Sequence, residues 1–322
     1  MILKTVEQAR ERSDQPVTSI LRQLEFPRAT YYRWEKRTQA GQLTDRIVVP
    51  HRQAPPPTPD EVDAVCDGAL TFPATGYKRL TWLMVDQNVA YLRPYQVYRI
   101  LKGQDLLARR PQATPEALKR PPGPDHPDQV WHIDLMYLHI RPRWYYLVDI
   151  VDGYSRFLVH WSLNLTMEAN TVTLTVQEAL DQLPERCLGE PKIVHDHGSQ
   201  FISVEWRRFV EAAGVTDIPT RVAHPQSNGI VERLHRTHRE EGVPEEILTD
   251  YYSALDAMKT WDHFYNYVRP HSALKYLCPA DYYRGDPVAR LTERQDKLLR
   301  AVEARRAYWQ VNAVVKEPLT LT

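Results

Sequence analysis

In the second half of the chain, runs of apolar residues with strand periodicity alternate with runs that have helix periodicity. Dense β-branched and aromatic residues predict three strands, at residues 129–138, 143–152 and 156–163. The spacing of Val172, Val176 and Leu180 then predicts a helix over residues 169–183. Because the three strands are joined by short connections, we expect them to pair in antiparallel order.

The same analysis continues the predicted order with a strand at 191–195, a helix at 204–213, a short strand at 214–218 and a helix that starts near residues 227–229. Three antiparallel strands followed by alternating helices and strands is the ribonuclease H-like order. The predicted fold class is therefore α/β, a mixed five-stranded sheet flanked by helices, and it is preceded by all-α helix-turn-helix modules.

Two short helices are predicted near the start of the chain, at residues 17–24 and 28–37. The second is rich in Arg, Tyr and Trp, and in a helix-turn-helix it would enter the major groove of DNA. Arg28, Tyr31 and Arg33 are the candidate DNA contacts of this helix. The pattern alone does not separate a DNA-binding motif from other small helical hairpins.

Three further helices are predicted at residues 59–70, 77–87 and 93–101. Thr58 and Glu61 have the spacing of a capping box, which marks the start of the first of these helices. The group resembles a second helix-turn-helix module. Its candidate DNA contacts are Lys78, Arg79, Arg99 and Lys102.

Composition changes mark the predicted domain boundaries. Residues 109–129 contain six prolines and few apolar residues, which is typical of a semi-rigid linker. The sequence therefore predicts five segments: a helix-turn-helix module (1–53), a second helical module (58–108), a linker (109–128), a catalytic core (129–283) and a helical tail (284–322). The pattern assigns no function to the tail.

The charge of the chain sums to +0, but the charge is unevenly distributed. Residues 74–120 contain nine basic and three acidic side chains, and this local excess favours binding of nucleic-acid phosphates. A solvated basic face is the alternative interpretation. No run is apolar and long enough for a membrane span, and single, scattered cysteines fit a reducing cytoplasm.

Three carboxylates have positions that suit metal-dependent chemistry. Asp134 lies within an apolar strand, where an isolated carboxylate is costly to bury, and Asp196 directly follows the strand at 191–195. Glu232 lies one turn into its predicted helix. Carboxylates from two strand ends and a helix could converge on hard cations in a two-metal site for phosphoryl transfer. Individually, each also has an ordinary explanation as a turn-forming or surface residue.

Several side chains surround these carboxylates. Arg236 and Arg239 share the Glu232 face of the helix and could hold DNA phosphates, although surface Glu–Arg pairs have the same spacing. Histidines 132, 195 and 197 flank the aspartates and could bind phosphate, transfer protons, bind zinc or pack. Oxygen ligands and a phosphate substrate favour Mg²⁺.

Four sequence blocks, at residues 127–137, 194–201, 224–233 and 266–274, resemble the IS3-like insertion-sequence transposases of the DDE transposase and retroviral-type integrase superfamily. The resemblance covers nearly the whole chain to about Tyr283. It implies that Asp134, Asp196 and Glu232 form the DDE triad, and that this triad holds two Mg²⁺ ions, which Mn²⁺ can replace. Asn228, inside the third block, completes the candidate DNA contacts.

The resemblance also implies an activity and partners. The expected reaction is hydrolysis at the element ends, followed by attack of the freed 3′-OH on target DNA. The expected substrates are double-stranded DNA with terminal inverted repeats and a target duplex. The expected assembly is a homo-oligomeric synaptic complex, and a helix-turn-helix protein from an upstream reading frame is a further implied partner.

Two departures from the family pattern bear on substrate positioning rather than on the identity of the triad. His195 and His197 stand where many relatives have a small polar residue and Asn, and the zinc module of retroviral integrases is missing. From the sequence, a nuclease that cuts without joining and a domesticated DNA-binding protein with an idle catalytic domain both remain alternatives to an active transposase.

Overall fold

The structure is a computed structural model that describes residues 2–41, 54–107, 123–183, 191–220, 229–242 and 248–313. The chain divides into two compact units, Met1–Ala54 and Pro55–Thr322. No helix in the described ranges is long and apolar enough to cross a membrane. The predicted DNA contact Asn228 and much of the predicted linker lie outside the described residues.

The first unit contains the helices α1 (Ile2–Ser13), α2 (Val17–Gln23) and α3 (Arg28–Gln39). Helices α2 and α3 confirm the two predicted helices. Their core is formed by four buried side chains, those of Val6, Ile20, Leu21 and Tyr31. Tyr31, a candidate DNA contact, has a side chain that is only 5% exposed because it completes this small core.

The second unit begins with α4 (Pro59–Thr71), α5 (Tyr77–Asp86) and α6 (Pro94–Gly103), which confirm the three helices predicted there. The predicted capping box is also present. The hydroxyl of Thr58 accepts a hydrogen bond from the Glu61 amide at 3.3 Å, and the Glu61 carboxylate accepts one from the Thr58 amide at 2.9 Å. These two bonds satisfy backbone donors that the first turn of a helix otherwise leaves unpaired.

A five-stranded sheet follows, in the spatial order β3-β2-β1-β4-β5. Strands β1, β2 and β3 pair in antiparallel order, whereas β4 is parallel to β1, and β5 is parallel to β4. This is the predicted ribonuclease H-like topology. The strands are β1 (Val130–Ile140), β2 (Arg143–Asp152), β3 (Leu158–Asn164), β4 (Lys192–His195) and β5 (Thr216–Pro219).

Helices cover both faces of this sheet. Trp131 and Ile133 of β1 contribute to the core on the side of α7 (Ala169–Asp181) and α8 (Val204–Ala213). Met136 and Leu138, which point the other way because side chains alternate along a strand, contribute to the core that includes residues of α9 and α10. These helices are α9 (Gly229–Glu241) and α10 (Tyr251–His263).

Strand β5 begins two residues later than predicted, at Thr216 rather than at residue 214. Gly214 has a φ of 68°, which is the left-handed conformation that commonly ends a helix. The residue therefore caps α8 and leaves the strand to start after it.

After α10 the chain forms a π-helical segment (Phe264–Val268), a 3₁₀ turn (Ser272–Leu274) and two helices, α11 (Pro279–Tyr283) and α12 (Pro287–Ala313). The side chain of Asn266 bonds to the backbone of Leu158: its Oδ1 accepts from the amide at 2.8 Å, and its Nδ2 donates to the carbonyl at 3.0 Å. This buried side chain thus supplies backbone partners at the start of the edge strand β3.

Helix α12, the predicted helical tail, is held to the α4–α6 group by two buried arginines. Arg294 donates from Nε to Asp86 of α5 at 2.8 Å, and its guanidinium lies 4.9 Å from the centre of the Trp82 ring. Arg305 donates to Glu61 of α4 at 2.6 Å. Both arginine side chains are 3% exposed, so solvent screens these ion pairs weakly.

We expect Arg294→Met to lower the free energy of unfolding by about 2 kcal/mol, because the largely buried Asp86 carboxylate loses its two hydrogen bonds from Arg294 and keeps only Arg290, 3.9 Å away. Urea denaturation monitored by circular dichroism measures the change. Arg300→Met removes an exposed cation from the same helix and should change stability by less than about 0.5 kcal/mol. Equal losses in the two variants would contradict a specific role for the Arg294–Asp86 pair.

Candidate active site

The register of the sheet places two of the candidate carboxylates side by side. Strands β1 and β4 are parallel neighbours, and His132 pairs with Val194. Two residues further along each strand direction lie Asp134 and Asp196, the latter immediately after the last residue of β4. Since neighbouring strands lie about 4.8 Å apart, this register brings the two carboxylates close together, beside the carboxyl end of β4.

Asp196 lies in an exposed turn that its own side chain stabilises, because Oδ1 accepts a hydrogen bond from the Gly198 amide at 2.9 Å. Behind it, the ring of His195 is buried and stacks on Phe201, with ring centres 4.3 Å apart. Its Nδ1 contacts the backbone carbonyl of Asp196, and its Nε2 lies 2.7 Å from Oδ1 of Asp217 on β5. His195 therefore packs under Asp196 and fixes its backbone, whereas His197 is exposed.

Helix α9 presents Glu232 on its exposed side. The buried side consists of Val231, Leu234, His235, Thr237 and His238. Glu232, Arg236 and Arg239 are all exposed, as the predicted helical face requires. The helix packs across β1 and β2, so its first turn, which carries Glu232, lies on the Asp134 face of the sheet.

Asp134 has two close ionisable neighbours that the sequence did not single out. Asp149 stands directly opposite it in the β1–β2 pair and is almost fully buried, with 1% of its side chain exposed. His235 of α9 contacts both carboxylates. Its Nε2 is 3.1 Å from Oδ2 of Asp149, and its Nδ1 is 3.6 Å from Oδ2 of Asp134.

These surroundings shift the ionisation of the site. Burial raises the pKa of Asp134 to about 6, although the charge of His235 and a hydrogen bond from the Leu135 amide oppose the rise, and the charges of Asp196 and Asp149 add to it. Burial alone would lower the pKa of His235, but the hydrogen bond to Asp149 and the two aspartate charges raise it above its ordinary value. The site thus concentrates negative charge that a cation would offset.

The donor atoms beside the carboxyl end of β4 are carboxylate oxygens, which are the ligands that Mg²⁺ prefers. In the described ranges, however, no three His, Cys, Asp or Glu side chains lie close enough together to hold a metal ion. The chemistry of the donor set, three carboxylates, fits a divalent cation.

His132, the third flanking histidine, is buried and has no hydrogen-bond partner for its Nδ1 among the described residues. Burial, helped by the charge of Arg156, lowers the pKa of His132 to about 4. A neutral, buried imidazole in a strand fits a packing role.

The candidate DNA contacts have different surroundings. Five of them are exposed and remain predictions: Arg28, Arg33, Lys78, Arg99 and Lys102. Arg79 instead forms an ion pair with Glu241, the last residue of α9, at 2.7 Å. Glu241 also accepts two hydrogen bonds from the guanidinium of Arg269, at 2.6 and 2.9 Å. A DNA contact by Arg79 would have to compete with this internal pair, and it stays a prediction.

Sequence signals for the missed residues were present but weak. Asp149 lies within an apolar strand exactly as Asp134 does, and His235 follows Glu232 by three residues on one helix. Asp217 lies in a strand of only four residues. Each pattern is common, and only the pairing of strands and the packing of α9 bring these side chains to the aspartates.

Comparison with known proteins identifies the domain in which these residues lie. Residues 124–225 match a family model described as an integrase core domain, and residues 213–279 match a second model with the same description. These two stretches together contain the five strands, Asp134, Asp196, Glu232 and His235.

Three relatives come from insertion elements. An uncharacterized IS136 protein of Agrobacterium fabrum is 30% identical over 146 residues, which are 44% of this chain and 75% of that protein. An uncharacterized 31.7 kDa IS407 protein of Burkholderia multivorans is 28% identical over 212 residues, 64% of this chain and 74% of that protein. Transposase InsD for insertion element IS2D of Escherichia coli is 28% identical over 230 residues, 66% of this chain and 74% of that protein.

We expect Glu241→Gln to lower the free energy of unfolding by about 3 kcal/mol at pH 7, because it leaves the buried Arg269 guanidinium without a counter-charge. Burial alone would raise the pKa of Glu241, but Arg269 and Arg79 hold it below its ordinary value. The stabilisation is therefore complete above the ordinary carboxyl pKa and is lost as the pH falls through the lower folded value.

Chemical denaturation of both proteins between pH 3 and pH 8 measures this difference, which should shrink only at the acidic end. Glu240→Gln, at the exposed neighbouring position, is the control and should behave like the unmodified protein. A loss from Glu241→Gln that stays constant down to pH 3 would rule out the ion pairs as its cause.

Proposed function

Because this chain belongs to the IS3-like insertion-sequence transposases of the DDE transposase and retroviral-type integrase superfamily, we propose that it cuts DNA at the ends of its own element and joins the freed 3′-OH to target DNA. The substrate is double-stranded DNA with terminal inverted repeats. The reaction takes place in a synaptic complex that contains at least two copies of the chain.

One juxtaposition carries this proposal. The β1–β4 register brings Asp134 and Asp196 together beside the carboxyl end of β4. Helix α9 crosses the face of the sheet on which Asp134 lies, and Glu232 is in the first turn of this helix. A structural role explains each carboxylate alone, but carboxylates from the middle of β1, the end of β4 and the first turn of α9 are the donor set that phosphoryl transfer needs. The raised pKa of Asp134 supports a site built to receive a positive charge.

In the proposed mechanism, Asp134, Asp196 and Glu232 hold divalent cations, with Mg²⁺ as the natural choice and Mn²⁺ as a substitute. When bound, these ions activate the attacking oxygen and stabilise the leaving 3′ oxygen. The chain itself orients the DNA: Arg236 and Arg239 lie along the exposed side of α9, about 6 and 10 Å beyond Glu232 by helical rise, where they can contact phosphates that flank the scissile bond. No protein nucleophile is required.

The exposed cations of the helical modules provide the remaining DNA contacts. Arg99 and Lys102 lie at the end of α6, and Arg28 and Arg33 lie on α3. In a helix-turn-helix, α3 and α6 would be the recognition helices. We assign the α4–α6 group and the α1–α3 group to binding of the element ends, with phosphate contacts as the main source of affinity.

Purified protein incubated with DNA from the flanks of its own gene and Mg²⁺ should produce new 3′ ends at the element boundary and joined products. Asp134→Asn, Asp196→Asn and Glu232→Gln should each lower the cleavage rate by about 100-fold or more, since each removes an ion ligand. Sequencing of the new ends and joints measures both steps. Glu240→Gln, on the same helix but two turns away, is the matched control and should keep full activity.

Each other outcome has a defined meaning. Cleavage without joining supports a nuclease, or a reaction that needs a second polypeptide. Binding without cleavage in every variant, including the unmodified protein, supports a domesticated DNA-binding protein. Full cleavage by the Glu232→Gln protein would reject this triad as the catalytic site.

Removing Arg99 and Lys102 together, as Arg99→Gln/Lys102→Gln, should weaken DNA binding and reduce the slope of log K against log salt concentration by about 2. Fluorescence anisotropy at several salt concentrations gives the slope. The charge-matched variant Lys259→Gln/Arg300→Gln removes two exposed cations from α10 and α12 and should leave the slope unchanged. Equal slopes for the two variants would exclude a specific phosphate contact by α6.

A further inference from the structure

The most unusual feature of the candidate site is a pair of carboxylates that face each other across two strands. Asp134 and Asp149 are direct partners in the β1–β2 register. Their side chains are 20% and 1% exposed. Like charges placed directly opposite each other in a sheet are destabilising, and burial increases the cost. A residue that contacts both carboxylates is therefore needed to hold this arrangement.

His235 meets that need. Its ring lies on the buried side of α9, 3.1 Å from Asp149 and 3.6 Å from Asp134. The Nε2–H donates to the Asp149 carboxylate, which orients the ring and directs Nδ1 towards Asp134. His235 thus links the buried Asp149 carboxylate to Asp134, the candidate cation ligand.

The same histidine also determines how α9 lies on the sheet. Glu232 and His235 are three residues apart, so their side chains lie on neighbouring parts of one helical face. Because His235 is attached to Asp149 of β2, rotation of α9 about its axis would break that hydrogen bond. The bond therefore sets the direction in which Glu232 projects.

We propose that His235, anchored by Asp149, is a positioning residue that holds Asp134 and the Glu232 helix in the arrangement that binds the divalent cation. The proposal rests on the function proposed above. It assigns roles to two residues outside the carboxylate triad, and its physical basis is contact and orientation. Partners behind ligand side chains commonly change metal affinity by about 10- to 100-fold.

A neighbouring histidine provides a matched control. His238 lies one turn further along α9 and is equally buried, at 5% exposed against 6% for His235. Its Nε2 is 3.0 Å from the sulfur of Met258, and its ring packs against Trp261 at 4.6 Å. Among the described residues it contacts no carboxylate. Its removal therefore tests the loss of a buried imidazole without the loss of the Asp149–Asp134 link.

The variants to compare are His235→Leu, His235→Asn, Asp149→Asn and His238→Leu. Asn places its amide nitrogen close to the position of the imidazole Nδ1, so it restores a donor towards Asp134. Mn²⁺ binding is measured by electron paramagnetic resonance on the full chain, and steady-state cleavage of flank DNA separates kcat from KM. Thermal denaturation reports folding for each protein.

We expect His235→Leu to weaken Mn²⁺ binding by about tenfold or more and to lower kcat with little change in KM for DNA. His235→Asn should recover part of both losses. Asp149→Asn should lose less Mn²⁺ affinity and kcat than His235→Leu, because its amide oxygen still accepts a hydrogen bond from Nε2 of His235. His238→Leu should lower the melting temperature but bind Mn²⁺ as the unmodified protein does.

Mn²⁺ affinity in His235→Leu equal to that of the unmodified protein would overturn the inference, as would a loss of Mn²⁺ affinity in His238→Leu as large as the loss in His235→Leu. If His235→Leu fails to fold, His235→Asn and Asp149→Asn decide, and unchanged Mn²⁺ binding in both overturns the inference. An unmodified protein that binds no Mn²⁺ and leaves DNA uncut would instead overturn the proposed function, and the inference with it. The two failures are thus distinguishable.

Discussion

The double pairing of strand β1, with β2 on one side and β4 on the other, is the constraint on which the candidate site depends. The antiparallel pair puts Asp134 opposite Asp149, and the parallel pair aligns it with Asp196. A slip of one residue in either pair would turn Asp134 towards the opposite face of the sheet, away from α9. The register is fixed by the two cores, which receive alternate side chains of β1 such as Ile133 and Met136.

Helix α9 converts this fixed register into a site. Val231 and Leu234 pack into the core below it, while His235 reaches the two carboxylates of the sheet. The two buried histidines of this helix both have partners, His235 in Asp149 and His238 in Met258, as a low-dielectric interior requires. The helix thereby combines two functions, because the apolar residues provide affinity for the sheet and the histidine provides the rotational setting. The direction in which the Glu232 side chain projects depends on the apolar packing and on the His235 contacts.

The sequence was most informative where structure depends on near neighbours. The capping box at Thr58, the bounds of α8 and the three antiparallel strands follow from local periodicity and were predicted closely. The structure adds most where the partner is distant in sequence. Tyr31 belongs to a core that three helices build together, and Arg79 pairs with Glu241, 162 residues away. No local pattern distinguishes a paired arginine from one that is free to bind phosphate.

Long-range ion pairs also connect the parts of the second unit that the sequence separated into domains. Helix α12 holds α5 through Arg294–Asp86 and α4 through Arg305–Glu61, and Arg79 of α5 holds the end of α9. Because these pairs are largely buried, a shift that parts the partners while they stay buried would leave charges without a counter-charge. The α4–α6 group therefore cannot shift on the core without disturbing the helix that carries Glu232. In the proposed function, DNA bound by α6 would consequently be held at a fixed distance from the carboxylates. That distance would determine how far from the bound end sequence the DNA is cut.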